Sequence, residues 1–199
     1  MTGVRRQITE KQLQARRRSP RLKGYDYTQP GAYFVTIVTQ HRLSLFGEVI
    51  EGTIQLNIVG ELVKHWWQEL KNRFAAVETD QFVVMPNHLH GIIIIGDPTV
   101  GADLRVGPDR TGARPAHEGA HIGAPLPRVI QWFKTMTTNE YIRGVEQFGW
   151  TPFHGQLWQR SYFDHVIRSE ASLNRIRQYI IENPGRWEFD RENPALTKV

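Results

Sequence analysis

Two histidines open an apolar run in the segment Met85-Pro86-Asn87-His88-Leu89-His90-Gly91, which four isoleucines follow. In an extended strand, successive side chains point to opposite faces, so His88 and His90 project from the same face. Neutral imidazoles held side by side in this way are suited to bind a divalent metal ion. The isoleucines predict a strand that is buried on both faces and therefore central in a sheet. The alternative is that both histidines are hydrogen-bonded structural residues of the core.

A predicted helix near the C-terminus carries a second set of reactive side chains. On this helix, Tyr179 and Asn183 lie one turn apart on the flank of an apolar stripe. The carbonyl oxygen of Asn183 is a ligand of the kind that magnesium and manganese prefer. A metal held by two histidines and an amide oxygen keeps open positions for a phosphate, which an activated tyrosine hydroxyl can attack. The alternatives are a tyrosine that only packs and an asparagine that only caps the helix.

Hydropathy patterns predict the elements that must position these residues. Strands are predicted at 33–39, 81–85, 88–95 and 157–167, the last either continuous or broken near Arg160. Helices are predicted at 57–73, at 129–147 and from Ser169 to just before Pro184, and a hairpin or irregular connection between Gly47 and Gly52. The first six elements follow the split βαβ, or ferredoxin-like, pattern. We therefore expect an α+β fold with an antiparallel sheet, helices on one face and an added C-terminal helix that carries Tyr179. This topology supports RNA-binding modules, enzymes and nucleases, so it does not assign a function.

Charge and composition divide the 199-residue chain into an arm, a domain and an insertion. Residues 1–30 are predicted to form a basic arm, because the first 23 residues carry eight basic side chains and one acid. Such an arm commonly follows a phosphate backbone, although it can also be a solubilising tail. Residues 31–199 are predicted to form one domain, in which the glycine- and proline-rich stretch 97–127 is a flexible insertion. The insertion contains His117 and His121, which rank below His88 and His90 because the surrounding glycines disfavour a helix.

Composition also excludes some classes of protein. The chain has no cysteine, which rules out disulfides, zinc sites built on thiolates and cysteine nucleophiles. It has no apolar run of the length of a membrane helix. The basic N-terminus lacks the apolar segment of a signal peptide, so we expect a cytoplasmic protein.

Three motifs together resemble those of the single-tyrosine HUH transposases. Met85-Pro86-Asn87-His88-Leu89-His90 matches the His-hydrophobic-His motif of that superfamily. Trp158-Gln159-Arg160-Ser161-Tyr162-Phe163-Asp164-His165-Val166-Ile167-Arg168 and Tyr179-Ile180-Ile181-Glu182-Asn183-Pro184 look like segments of its REP-associated subfamily. The resemblance extends from about Gly31 to Trp187 and leaves out the insertion.

The resemblance implies roles for single positions. His88 and His90 correspond to the paired metal ligands, Asn183 to the third ligand and Tyr179 to the nucleophile that becomes joined to a 5′ phosphate. The implied enzyme uses magnesium or manganese to cleave and rejoin single-stranded DNA near palindromic hairpins, and we favour a monomer. The arm residues expected to contact this DNA are Arg5, Arg6, Arg16, Arg17, Arg18, Arg21 and Lys23.

Three alternatives remain at this point. Tyr162 is a rival nucleophile, which we interpret as structural because either it or Phe163 should face the core. A non-catalytic protein of the same fold that binds RNA or single-stranded DNA would need no covalent tyrosine. A metal-dependent hydrolase of a small phosphodiester would need neither the basic arm nor the tyrosine.

Overall fold

The computed structural model describes residues 26–27, 29–96 and 125–197. The basic arm, apart from a few residues at its end, and most of the insertion, including His117 and His121, lie outside the described residues. The assignment of these segments therefore stays a prediction. At the end of the proposed insertion, Leu126 and Pro127 already belong to the helix that follows.

Six strands and four α-helices form the described part of the chain. The strands are β1 (Gly31–Val38), β2 (Gly47–Ile50), β3 (Thr53–Leu56), β4 (Val77–Val84), β5 (His88–Ile95) and β6 (Phe163–Ile167). The helices are α1 (Ile58–Gln68), α2 (Leu70–Arg73), α3 (Leu126–Phe148) and α4 (Glu170–Glu182), and 3-10 turns span Gln40–Arg42, Pro184–Phe189 and Pro194–Thr197. None of the described helices combines the length and apolar character needed to cross a bilayer.

The main sheet has the strand order β4-β5-β1-β6, and every neighbouring pair is antiparallel. With α1 between β1 and β4 and α3 between β5 and β6, this is the ferredoxin-like arrangement predicted from the sequence. The predicted fold class is thus confirmed, with a β2–β3 hairpin added. The strand predicted at 157–167 is broken, as the alternative break near Arg160 allowed: the regular strand begins at Phe163, and before it Trp158 forms one isolated bridge with Thr39.

The two faces of the sheet support two separate apolar layers. Residues on one face pack against α1 and α3 in the larger core; they include Tyr33, Val35, Ile37, Leu89, Ile93, Val63, Trp67 and Phe133. The residues that alternate with them on the opposite face, Phe34 and Ile92, pack with Ile180 of α4 in a smaller cluster. Helices α1 and α3 therefore cover one face, and the added helix α4 covers the face that carries His88 and His90.

Helix α4 is fixed at both its start and its middle. The Ser169 side chain caps the helix by accepting a hydrogen bond of 3.2 Å from the Ser172 backbone N–H. Further along, the Arg177 guanidinium donates hydrogen bonds to both carboxylate oxygens of Asp80 on β4, which lower the pKa of Asp80. These contacts and the apolar cluster hold Tyr179, two residues beyond Arg177, against the sheet.

We predict that Gly91→Ala destabilises the protein, because a Cβ at this position would overlap the buried Trp67 ring. Overpacking of this kind costs about 1–3 kcal/mol of the free energy of unfolding, which urea denaturation measures. Gly96→Ala is the matched control, since its Cβ would make an ordinary contact of 3.8 Å with the Ala76 carbonyl oxygen. Equal stability of the two variants would contradict the close packing of β5 on α1.

Candidate active site

Strand β5 places the two predicted imidazoles next to each other. The Nε2 atoms of His88 and His90 lie 3.1 Å apart, and both residues are almost fully buried. Two nitrogen lone pairs that face each other at this distance repel unless a proton or a cation lies between them. The two Nε2 atoms therefore converge in the way that two ligands of one metal ion do.

Asn87 determines which nitrogen of His88 carries the proton. The Asn87 amide nitrogen donates to the backbone carbonyls of Arg42, at 3.1 Å, and Glu192, at 2.7 Å. Both partners only accept, so it is the amide oxygen that faces His88 Nδ1 at 2.8 Å. Nδ1 of His88 is then the donor and Nε2 keeps its lone pair, which is the tautomer that a metal ligand needs.

His90 is held by residues of β1. Its Nδ1 lies 2.8 Å from the Thr36 hydroxyl, and the Phe34 ring stacks on the imidazole with the centroids 5.4 Å apart. Because a hydroxyl can donate or accept, Thr36 is compatible with either neutral tautomer of His90. Nε2 of His90 can therefore carry a proton or offer a lone pair to a cation.

Helix α4 brings Tyr179 to this pair. The Tyr179 hydroxyl lies 3.2 Å from Nε2 of His90, and the ring packs edge-on against Phe34 with the centroids 5.9 Å apart. Tyr179 is 40% exposed, so one side of its ring remains open to a ligand. Partial burial and the charge of Asp190 raise the pKa of Tyr179. Without a cation nearby, the Tyr179 hydroxyl therefore keeps its proton at neutral pH.

Asn183 joins the site through Asp190. The Asn183 amide nitrogen donates to Oδ2 of Asp190 at 3.2 Å, while its buried carbonyl oxygen has no hydrogen-bond partner among the described residues. Oδ2 of Asp190 lies 3.8 Å from Nε2 of His88 and 3.9 Å from Nε2 of His90. Both distances are longer than a hydrogen bond. His88, His90 and Asp190 each place one possible metal-ligand atom within 4.8 Å of the other two.

No pattern in the sequence singles out Asp190. It lies in the stretch Arg186-Trp187-Glu188-Phe189-Asp190-Arg191-Glu192, whose mixed charges are typical of a solvated surface. The 3-10 turn Pro184–Phe189 reverses the chain and returns Asp190 to the sheet. The Glu192 side chain pairs with Arg42 at 2.8 Å, and this contact, like the Asn87 bond to the Glu192 carbonyl, fixes the returning segment.

The electrostatics of the site suit a divalent cation. Burial lowers the pKa of His88 and of His90, so both rings are neutral and able to donate lone pairs. Burial alone would raise the pKa of Asp190, but the hydrogen bonds that its carboxylate accepts from the Glu192 backbone N–H and the Asn183 amide lower it, so Asp190 is ionised. Two neutral imidazoles, one carboxylate and the unpartnered carbonyl oxygen of Asn183 form a mixed nitrogen–oxygen set of donors, which fits a divalent metal. The adjoining cavity, of about 540 Å³, is open to solvent.

Tyr162, the rival nucleophile, and its neighbours Asp164 and His165 do not join this group. Tyr162 is buried in the larger core, and Lys134 lies over its ring, 5.7 Å from the centroid. Asp164 is buried and accepts a hydrogen bond from the Tyr27 hydroxyl, whereas His165, the next residue, is exposed. The structure thus brings together His88, His90, Tyr179 and Asn183 but not Tyr162.

Comparison with solved structures identifies the fold. A REP-associated tyrosine transposase bound to a REP hairpin is 17% identical to this chain and superposes with a TM-score of 0.53, over 86% of this chain and 76% of that one. The protein therefore has the fold of the REP-associated tyrosine transposases, as the sequence motifs suggested. A provisionally assigned transposase from Deinococcus radiodurans is 20% identical over 82% of this chain and 96% of that one, with a TM-score of 0.41.

Comparison with curated sequences identifies the family. No family model matches the chain. An uncharacterized protein of Haemophilus influenzae is 38% identical over 176 residues, which cover 88% of this chain and 92% of that protein. The chain belongs to the same family as this Haemophilus protein.

We predict that Asn87→Ala weakens the binding of Mn²⁺ by about 10- to 100-fold, the usual effect of removing a group that orients a metal-binding histidine. Isothermal titration calorimetry on the full chain measures the affinity. The matched control is Asn72→Ala, because Asn72 is exposed and its amide donates to the Glu69 side chain at 3.0 Å, away from the site. An unchanged affinity in Asn87→Ala would show that the His88 tautomer does not depend on this amide.

Proposed function

We propose that the protein is a metal-dependent DNA transposase and endonuclease that cleaves and rejoins single-stranded DNA through a covalent 5′-phosphotyrosine intermediate. The observation that carries the proposal is the Tyr179 hydroxyl 3.2 Å from Nε2 of His90, beside His88 and Asp190. The fold supports it, since the similar REP-associated transposase is bound to a REP hairpin. By analogy, the substrate of this chain is single-stranded DNA that carries palindromic hairpins.

The residues proposed to hold the cation are His88 and His90 through Nε2, together with the Asp190 carboxylate and the Asn183 carbonyl oxygen. Magnesium or manganese is the expected ion, because oxygen ligands and open positions favour these metals. A bound divalent cation would neutralise charge on the scissile phosphate and lower the pKa of the nearby phenol. Asn87 and Thr36 keep the two imidazoles in orientation for this task.

Tyr179 is the proposed nucleophile. Its oxygen attacks phosphorus, the bond from phosphorus to the 3′ oxygen of the preceding nucleotide breaks, and the phenol proton passes through solvent to the leaving 3′ oxygen. The 5′ phosphate is then joined to Tyr179, and the other strand end is a free 3′ hydroxyl. Attack of a 3′ hydroxyl on the phosphotyrosine reverses the step and rejoins DNA without an external energy source.

The cavity beside Tyr179 is proposed to admit the DNA strand. The half-exposed face of Tyr179 opens into the cavity, which gives an extended strand access to the hydroxyl.

The basic arm is proposed to contact DNA phosphates, so its contribution should weaken as salt increases. We favour a monomer, because the described residues of one chain contain every proposed ligand and the tyrosine. Action on DNA agrees with a location in the cytoplasm.

We predict that Tyr179→Phe abolishes the covalent adduct between the protein and hairpin-bearing single-stranded DNA in the presence of Mn²⁺. Denaturing gel electrophoresis detects the adduct as a shifted band. Tyr162→Phe is the matched control and should retain it, because Tyr162 lies in the larger core. An adduct that persists in Tyr179→Phe would disprove the assignment of the nucleophile. DNA binding without an adduct in the wild type would favour the non-catalytic alternative.

We further predict that Asp190→Ala reduces the affinity for Mn²⁺ more than Asn183→Ala does. The carboxylate carries a full negative charge and lies 3.8 Å and 3.9 Å from the two imidazole nitrogens, whereas the Asn183 oxygen is neutral. Manganese binding followed by electron paramagnetic resonance compares the two variants without any need for activity. The reverse order would make Asn183 the principal oxygen ligand, as the family resemblance implies.

A further inference from the structure

The active-site cavity continues into a rim of aromatic and basic side chains that the proposed reaction does not use. Phe163, Phe189 and Arg191 line this outer part. The Phe189 side chain is 82% exposed and that of Phe163 is 38% exposed. Single exposed apolar residues are common on proteins, but two of them beside one reactive site indicate a binding surface.

The register of the sheet connects Phe163 to the site. Thr36 of β1 is paired with His90 on one side and with Phe163 of β6 on the other. Directly paired residues share a face, so Phe163 stands on the face that carries His90. Phe34 bridges the two, because its ring stacks on His90 and meets Phe163 edge-on with the centroids 6.3 Å apart. An aromatic surface therefore runs from His90 to β6, which is an edge strand of the sheet.

Arg191 adds positive charge to this surface. Its guanidinium carbon lies 5.7 Å from the centroid of the Phe163 ring, and its side chain is 73% exposed. The guanidinium pairs with Glu192 at 3.2 Å, but the same carboxylate also pairs with Arg42 at 2.8 Å. The Glu192 contact is made at Nε of Arg191, and a guanidinium has five N–H donors in all, so this exposed group can also donate to a phosphate.

We propose that Phe163, Phe189 and Arg191 bind one unpaired nucleotide next to the phosphate that Tyr179 attacks. The base stacks on the aromatic rings, and the neighbouring backbone phosphate contacts Arg191. Stacking accepts any base but requires that its face be free, so the surface selects a single strand over a duplex. This inference rests on the proposed function and deepens it, since it assigns the residues that recognise the unpaired DNA.

The test compares two fluorescent oligonucleotides, an oligothymidylate and an abasic strand of equal length, by anisotropy on the full chain in EDTA. The wild type should bind the oligothymidylate more tightly. Phe163→Ala and Phe189→Ala should each weaken that binding by roughly tenfold, as expected for the loss of one stacked base, with little change for the abasic strand. Arg191→Gln should weaken binding of both strands and reduce the dependence of affinity on salt.

Two controls distinguish stacking from a general loss of surface. Phe148→Ala should bind like the wild type, because Phe148 is 72% exposed but lies at the end of α3, outside the cavity. Phe163→Trp should retain the preference for the strand that carries bases. If both alanine variants at the rim bind oligothymidylate like the wild type, the inference is overturned, although a Tyr179-dependent adduct would still support the transposase. Base-dependent binding without any adduct would support the rim and overturn the transposase.

Discussion

The site depends on two neutral imidazoles that are kept 3.1 Å apart in a strand with almost no access to water. Buried polar groups are tolerated when their hydrogen bonds are satisfied, and here Asn87 and Thr36 satisfy the outer nitrogens of the rings. Asn87 in turn bonds to the backbone of Arg42 and Glu192. The orientation of the histidine pair therefore depends on two segments that are remote in sequence, one around Arg42 and one around Glu192.

The second requirement is that a helix remote in sequence presents its tyrosine to this pair. Packing of Ile180 on Phe34 and Ile92, with the Arg177–Asp80 contact, holds α4 so that the Tyr179 hydroxyl reaches His90 without any movement of the helix. The same packing raises the pKa of the phenol. Position and reactivity are therefore separate: the fold supplies the position, and a cation beside the hydroxyl is needed to supply the reactivity.

Local patterns predicted much of the fold. The isoleucine run identified β5 with its observed bounds, Ser169 identified the start of α4, and the order of the elements identified the ferredoxin-like sheet. These predictions succeed because strand periodicity, helix caps and buried runs are properties of neighbouring residues. The strand predicted at 157–167 is broken before Phe163, since residues of suitable type there meet no continuous partner strand.

Local spacing along the chain accounts for part of the site: two histidines on one face of a strand, and a tyrosine one turn before an asparagine. Which of these groups meet depends on how the elements pack. Asp190 reaches the histidines because a 3-10 turn reverses the chain, and the choice of Phe163 rather than Tyr162 for the site face follows from the pairing of β6 with β1. Both depend on contacts between residues far apart in sequence, and no periodicity of a single segment records such contacts.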